Sequence, residues 1–283
     1  MPDPTAPWWL NDAPLQNVTG PLPAEADTVI VGAGITGASV ARHLAQLAPE
    51  RAAETLVLDA RGAAGGATGR NGGQCGPMDC YDFENLAASD GLEEALAERS
   101  FQFETMDLVQ EYVAAHGVEA DLRFGGAGVQ WFTNRDRTWG ESAHATCLLH
   151  AEQCGDPYCG RSELLDTAEA EERMKSPEFL GAIFQPAGGS IWGAKIVFAL
   201  LEEAIERGVT LRTQTAVTSV ERDGEEHWLV HTDAGDVVRA RHVVFATNAY
   251  TGSLVPELEG EINPWRDQVV IVSPATVYRH AAV

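Results

Sequence analysis

Thr28-Val-Ile-Val-Gly-Ala-Gly-Ile-Thr-Gly-Ala-Ser39 is the stretch whose reading decides the fold. Its apolar run, Val29 to Val31, reads as a buried strand of a parallel sheet. Gly32, Gly34 and Gly37, with Ala33, Ile35 and Thr36 between them, then open a helix that runs on through Val40, Leu44 and Leu47. Glycine serves three purposes in such a turn: it permits the tight bend, lets backbone approach a pyrophosphate, and lets helix pack closely on strand. The free N–H groups and positive dipole end of the helix would hold the phosphates. A second apolar strand, Leu56-Val-Leu58, ends at Asp59. That acid falls about 20 residues past the last glycine, where a carboxylate meets a ribose hydroxyl. Strand, glycines, helix, strand and acid in this order predict a dinucleotide site in an α/β fold.

A second glycine-rich segment follows, with six glycines from Gly62 to Gly73 and the ending Gly66-Ala-Thr-Gly-Arg-Asn-Gly-Gly-Gln74. So many glycines exclude a regular helix or strand, and leave a backbone that can lie against something flat or charged. A flexible surface loop is the plainer alternative. The run from Gly66 to Gln74 resembles the loop that wraps the flavin in the FAD-dependent D-amino acid oxidase superfamily. It is most similar to the amine-oxidising branch that holds glycine and sarcosine oxidases and γ-glutamylputrescine oxidase. The resemblance implies a Rossmann-like FAD-binding domain interleaved with an α+β substrate domain. It also implies that Asp59, with Ala60 and Arg61 beside it, meets the adenosine ribose. Gly66, Ala67, Thr68, Arg70, Asn71, Gly72, Gly73 and Gln74 would then carry the chain along the pyrophosphate to the isoalloxazine ring.

Later segments extend the resemblance over most of the chain. Ala194 to Arg207 predicts a helix with Ile196, Val197, Leu200, Leu201, Ala204 and Ile205 on one side, stopping at Gly208. Val209 to Val220 follows as strand material, and in the family an equivalent strand offers backbone groups near Val217 to the adenine. Three strands come next, with turns at Asp223-Gly224 and Ala234-Gly235. The last, His242 to Tyr250, contains Ala246-Thr247-Asn248-Ala249, which resembles the family's second approach to the dinucleotide. Pro264-Trp-Arg266 and Val269 to Val272 resemble a strand entering the substrate domain. Arg266 is the candidate partner for a substrate carboxylate or the flavin, against a structural role; Gln268 is equally open.

The domain boundaries expected are an N-terminal arm over residues 1–23, an FAD domain over 24–90 and 188–254, and a substrate domain over 91–187 and 255–283. The substrate domain begins with helix from Gly91 through Leu96, Phe103, Leu108 and Tyr112 to His116. Leu122 to Phe132 reads as strand with a glycine bend, and residues 135–175 as a charged helical segment. Members of the family continue past the end of this sequence with the rest of the substrate sheet and a closing glycine-rich strand–helix unit, so the C-terminal part is expected to be missing. A truncated, non-catalytic dinucleotide-binding chain is therefore one alternative reading. An NAD(P)-dependent dehydrogenase is another, disfavoured by the second glycine loop.

The chemistry the resemblance implies is oxidation of an amine or amino-acid C–N bond to an imine, with hydride passing to the flavin. No protein nucleophile is required, and no catalytic base is named. Cys75, directly after the loop, is either a packed thiol or a neighbour of the isoalloxazine, even a point of covalent attachment. Cys147, His150, Cys154 and Cys159 cluster in sequence but lack the usual Cys-x₂-Cys pair, so no metal site is expected. His227 and His231 read as solvated strand positions. Trp131 and Trp192 are core residues or cavity walls.

Composition narrows the classes further. In 283 residues, 19 basic against 42 acidic side chains give a formal charge of −23. That disfavours nucleic acid and anionic membranes as partners and leaves a solvated acidic surface; a small-molecule amine or amino acid is the ligand the resemblance implies. No apolar run is long enough to span a bilayer. The N-terminus lacks the basic start and apolar core of a signal peptide, and five cysteines fit reduced thiols, so a cytoplasmic chain is expected.

Overall fold

The computed structural model describes residues 7–77, 83–154, 161–174, 178–264 and 269. These fall into two compact units, one drawn from Met1–Gly72 and Trp192–Ile271, the other from Gly73–Ile191.

The first unit is built on one six-stranded sheet. Its strands are β1 (Glu25–Val31), β2 (Thr55–Leu58), β3 (Thr210–Arg212), β4 (Val217–Asp223), β5 (His227–Thr232) and β6 (Val237–Phe245). They lie in the order β4-β5-β6-β1-β2-β3. The pairs β6–β1, β1–β2 and β2–β3 are parallel, while β4-β5-β6 is an antiparallel meander. All four residues of β2 and the last four of β1 are buried, as expected of central parallel strands covered on both faces. One face carries Val29, Val31, Leu56, Leu58, Val230, Val238 and Ala240 as a single core.

Two helices, α1 (Ile35–Leu47) and α2 (Gly193–Glu206), pack against each other, joined at the rim by Arg42 Nε donating to Glu203 Oε2 at 2.6 Å. The buried residues of α1 are Gly37, Ala38, Ala41 and Ala45. Val40 and Leu44 are only half-buried and Leu47 is 82% exposed, so the large residues that mark this helix in the sequence are not its inner face. Small side chains let the helix axis come close to the neighbouring helix and sheet, and bulky ones are pushed outward. In α2 the expected apolar side is buried except for Ile205, which is 37% exposed.

The stretch Val209 to Val220 is not one strand but two, because Thr213 to Ala216 leave the sheet to bond with other loops.

Among the described residues, the second unit has two small antiparallel sheets and four helices. Ala127–Gln130, Ala182–Gln185 and Glu163–Leu165 form one sheet; Gln74–Cys75, Gly189–Ser190 and Arg123–Phe124 form the other. The helices are Phe83–Ser89, Leu92–His116, Asn134–Cys154 and Thr167–Met174. Residues 135–175 are thus not a single helical segment: Leu164 and Leu165 supply a short strand within it. The glycine bend expected before Phe132 is Gly126, at φ 86°. Trp131 is 3% exposed and packs with Phe83, Ala95 and Ile183, the core alternative.

Candidate dinucleotide site

The parallel registers bring Val31, Leu58 and Phe245, the ends of three adjacent strands, to one edge of the sheet. In open α/β sheets that carboxyl edge is where ligands bind. Gly32 makes the turn out of β1 at φ 110°, a conformation that costs other residues dearly, and its N–H donates to Leu58 O at 2.7 Å. A Cβ on Gly32 would stand 2.5 Å from Ala246 O, and one on Gly37 would overlap the Gly32 carbonyl oxygen. Two of the three glycines are therefore required by the chain's own packing.

Gly34 differs. Among the described residues, the one atom near a Cβ added there is Thr68 Oγ1, at 3.3 Å. Gly34 has no side chain with which to cap the helix N-terminus it begins, and Ile35 and Thr36 are exposed. Ile35 N–H donates to Thr68 Oγ1 at 3.1 Å, which ties the first turn of α1 to the second glycine loop. That loop curls through a short 3-10 turn, Ala67–Gly69, and Asn71 Nδ2 donates back to Thr68 O at 2.8 Å. Beyond it Gly72 is bare: none of the described residues lies within 4 Å of where its Cβ would be.

Asp59 is the hub. Its Oδ2 accepts from Ala33 N–H at 2.7 Å and its Oδ1 from Arg61 N–H at 2.8 Å. Burial pushes this carboxyl above the ordinary carboxylate range, and the two N–H donors and the Arg61 charge offset the burial only in part. Each oxygen keeps a second lone pair, so a hydroxyl donor can still be received. Ala60 beside it is exposed. The Arg61 guanidinium lies over the Tyr250 ring, 5.4 Å from its centroid. On the far side, Ala246 N–H donates to Val31 O at 2.8 Å, and Asn248 turns through φ 48°, a left-handed conformation that asparagine tolerates.

Gly32 to Gly37, Asp59 to Arg61, Gly66 to Gly72 and Ala246 to Asn248 thus meet at one sheet edge. Val217 begins β4 and pairs with Thr232 in the meander. Gly73 and Gln74 belong to the second unit. So does Cys75, whose Sγ lies 3.9 Å from Met106 Sδ and whose thiol burial pushes up. Arg266, Gln268 and Cys159, and the side chains of Cys147, His150 and Cys154, lie outside the described residues. Among the described residues, no group of three or more metal-ligating side chains is assembled, and no helix is long and apolar enough to cross a membrane.

Some participants carry no motif. Thr215 N–H donates to Asp59 O at 2.8 Å and Gln214 N–H to Arg61 O at 3.0 Å, so the segment after β3 braces the acid from below. Gln16 Nε2 donates to Ala63 O at 2.9 Å. Trp192, one of the two candidate cavity walls, donates from Nε1 to Trp9 O at 2.9 Å within the first unit.

Residues 27–282 match the model of a protein family described as DAO, FAD dependent oxidoreductase. The chain belongs to this family. It is 29% identical, over 86% of its length and 54% of the relative's, to gamma-glutamylputrescine oxidoreductase of Escherichia coli (strain K12). Its fold is similar to that of glycine oxidase from Geobacillus kaustophilus, with a TM-score of 0.63 at 21% identity over 83% of this chain and 59% of that one. It is also similar to L-proline dehydrogenase from P. horikoshii, with a TM-score of 0.59 at 20% identity over 82% and 55% of the two chains. The α/β architecture is that of the family. The chain spans about half the length of the curated relatives it matches.

Proposed function

We propose that this chain forms the cofactor-binding part, and the beginning of the substrate part, of an FAD-dependent oxidoreductase that oxidises the C–N bond of an amine or amino acid to an imine. The observation that carries this reading is a pair of glycines, Gly34 and Gly72, that no backbone among the described residues crowds. Gly32 and Gly37 are accounted for by packing, whereas a Cβ at Gly34, the first residue of the turn into α1, would meet only the Thr68 hydroxyl among the described residues, and one at Gly72 would meet none of them within 4 Å. Such a cradle fits a pyrophosphate.

In this reading Gly34 to Gly37 hold the phosphates, and Asp59, with Ala60 and Arg61, receives the ribose hydroxyls. The loop from Gly66 to Gln74 runs along the dinucleotide, Val217 offers backbone to the adenine, and Ala246 to Asn248 close the floor. The bound flavin supplies the hydride acceptor. The protein's task is to bind, orient and exclude water. Arg266 is the proposed partner of a substrate carboxylate. The domains proposed are 24–90 with 188–254 for the cofactor and 91–187 with 255–283 for the substrate, with the arm at 1–23.

The test is visible absorption of the purified chain before and after denaturation, followed by titration with FAD. Flavin bands whose pigment is released on precipitation support non-covalent FAD. Pigment that stays with the protein supports attachment at Cys75. A colourless chain that takes up no added FAD sinks the reading, and FAD bound without amine oxidation favours a dinucleotide-binding chain that needs further polypeptide for turnover.

A further inference from the structure

The N-terminal arm does more than lie on the surface. Trp8–Leu10 form a 3-10 turn, and from it Trp9 Nε1 donates to Asn71 O at 2.7 Å. The carbonyl of the same Trp9 accepts from Trp192 Nε1 at 2.9 Å, and the two indoles meet edge to face with centroids 5.2 Å apart. Lys195 Nζ lies over the Trp192 ring, 4.3 Å from its centroid. Leu10 fills the space beside Gly69, where an added Cβ would come within 3.0 Å of Leu10 Cγ.

Past Trp9 a continuous chain of bonds leads to the helix N-terminus. Asn71 Nδ2 donates to Thr68 O, and Thr68 Oγ1 accepts from Ile35 N–H. The arm is also fastened elsewhere: Val18 N–H donates to Thr213 Oγ1 at 2.7 Å, Thr213 N–H to Val18 O at 3.0 Å, and Gln214 Nε2 to Gln16 O at 3.0 Å. These anchors fix the arm without Trp9, so the indole N–H is free to serve another purpose.

We propose that Trp9 is a positioning residue: held by Trp192, it clamps the backbone at Asn71 and keeps the Gly66–Gly72 loop in the shape that receives the dinucleotide. The loop needs such a clamp because its glycines leave it with large conformational freedom. A ligand that binds only the ordered shape is weakened by whatever fraction of the time the loop spends elsewhere. The inference rests on the FAD reading for its ligand, but the loop's order can be measured without any ligand.

The substitution W9F keeps a ring against Trp192 and removes the donor to Asn71 O; W9A removes both. Trypsin cleaves after Arg70, inside the loop, so the flavin-free chain reports loop opening directly, with cleavage after Arg51 and Arg207 as internal references. W9F is expected to speed cleavage after Arg70 about fivefold, with the reference sites and the melting temperature of the flavin-free chain unchanged. The FAD dissociation constant should rise by a similar factor, the effect of losing one hydrogen bond to an ordered loop. Unchanged cleavage after Arg70 overturns the clamp. Faster cleavage with wild-type FAD affinity overturns the positioning role. A melting temperature that falls in step with cleavage at all three sites also overturns it, since Trp9 would then be only a structural residue. If neither wild type nor variant binds FAD, the proposed function fails, while the Arg70 cleavage rate still decides whether the clamp exists.

Discussion

Replacing Asp59 by alanine tests whether the site is held together by this one carboxyl. The side chain accepts two backbone N–H groups, from Ala33 and from Arg61. Ala33 is 0% exposed, so its N–H would be stranded without an acceptor, at about 1–3 kcal/mol. Arg61 is half-buried, so its N–H can turn to water, at a net loss of about 1 kcal/mol. Relief from burying the carboxyl offsets part of the sum, leaving about 2–3 kcal/mol. That corresponds to local opening about 30- to 150-fold more frequent. The assay is hydrogen exchange read by mass spectrometry on peptides covering β1 and the glycine turn, with the meander strands as reference. D59N keeps one acceptor for Ala33 and should lose about fivefold. Exchange in D59A within twofold of wild type would refute the argument. The pH dependence has a definite sign. A carboxyl whose pKa is raised by folding binds protons more readily folded than unfolded, so its contribution is full below the ordinary value of 3.8 and declines as pH rises through the folded value. The stability gap between wild type and D59A should therefore be widest at the acid end, narrow with rising pH and then level off. A gap that widens with pH would show that the N–H donors, not burial, dominate this carboxyl.

Gly37→Ala should destabilise the chain by about 3 kcal/mol in thermal unfolding, because the new Cβ overlaps the Gly32 carbonyl and neither backbone can yield. Gly72→Ala should melt within about 0.5 kcal/mol of wild type, since open space surrounds the position, yet bind FAD tenfold or more weakly by titration. Trp131 Nε1 is buried and has no hydrogen-bond partner among the described residues. Trp131→Phe should therefore change stability by less than about 1 kcal/mol, whereas Trp131→Ala should cost about 3–5 kcal/mol in denaturant unfolding.

What the sequence displays and what it conceals follow from how each contact is made. The strand, the three glycines and Asp59 are readable because their requirements are local: a positive φ at Gly32, a close approach at Gly37, an acid at a strand end. The burial of Ala38, Ala41 and Ala45 in place of Leu47 is not, since periodicity marks large residues and says nothing of how near two helices come. Gln214 and Thr215 brace Arg61 and Asp59 through backbone N–H groups that any residue could supply, so no motif announces them. The short strand Glu163–Leu165 is hidden by the charged residues on both sides of it. Trp9 and Trp192 are far apart in sequence, and their pairing exists only once the fold is made.

Asp59 shows how the site can be stable before any ligand arrives. A ribose-binding acid standing alone at a sheet edge would have both oxygens free and its orientation fixed only by its own rotamer. Here each oxygen already holds a backbone N–H, one from the glycine turn and one from the segment leading into the second loop. The carboxyl therefore joins the two glycine segments first, and any hydroxyl must be received on the lone pairs that remain. A ligand bound there meets an acid whose direction is set, so little freedom is lost on binding. The same bonds explain why burial of the group is tolerable: two N–H dipoles replace part of the water it gives up. On this reasoning an Asp59→Glu change, which retains the charge but moves it by one methylene, should disturb Ala33 and Arg61 exchange almost as much as alanine does. Exchange in D59E close to that of wild type would mean that charge alone, and not the fixed geometry of two N–H donors, is what the site requires.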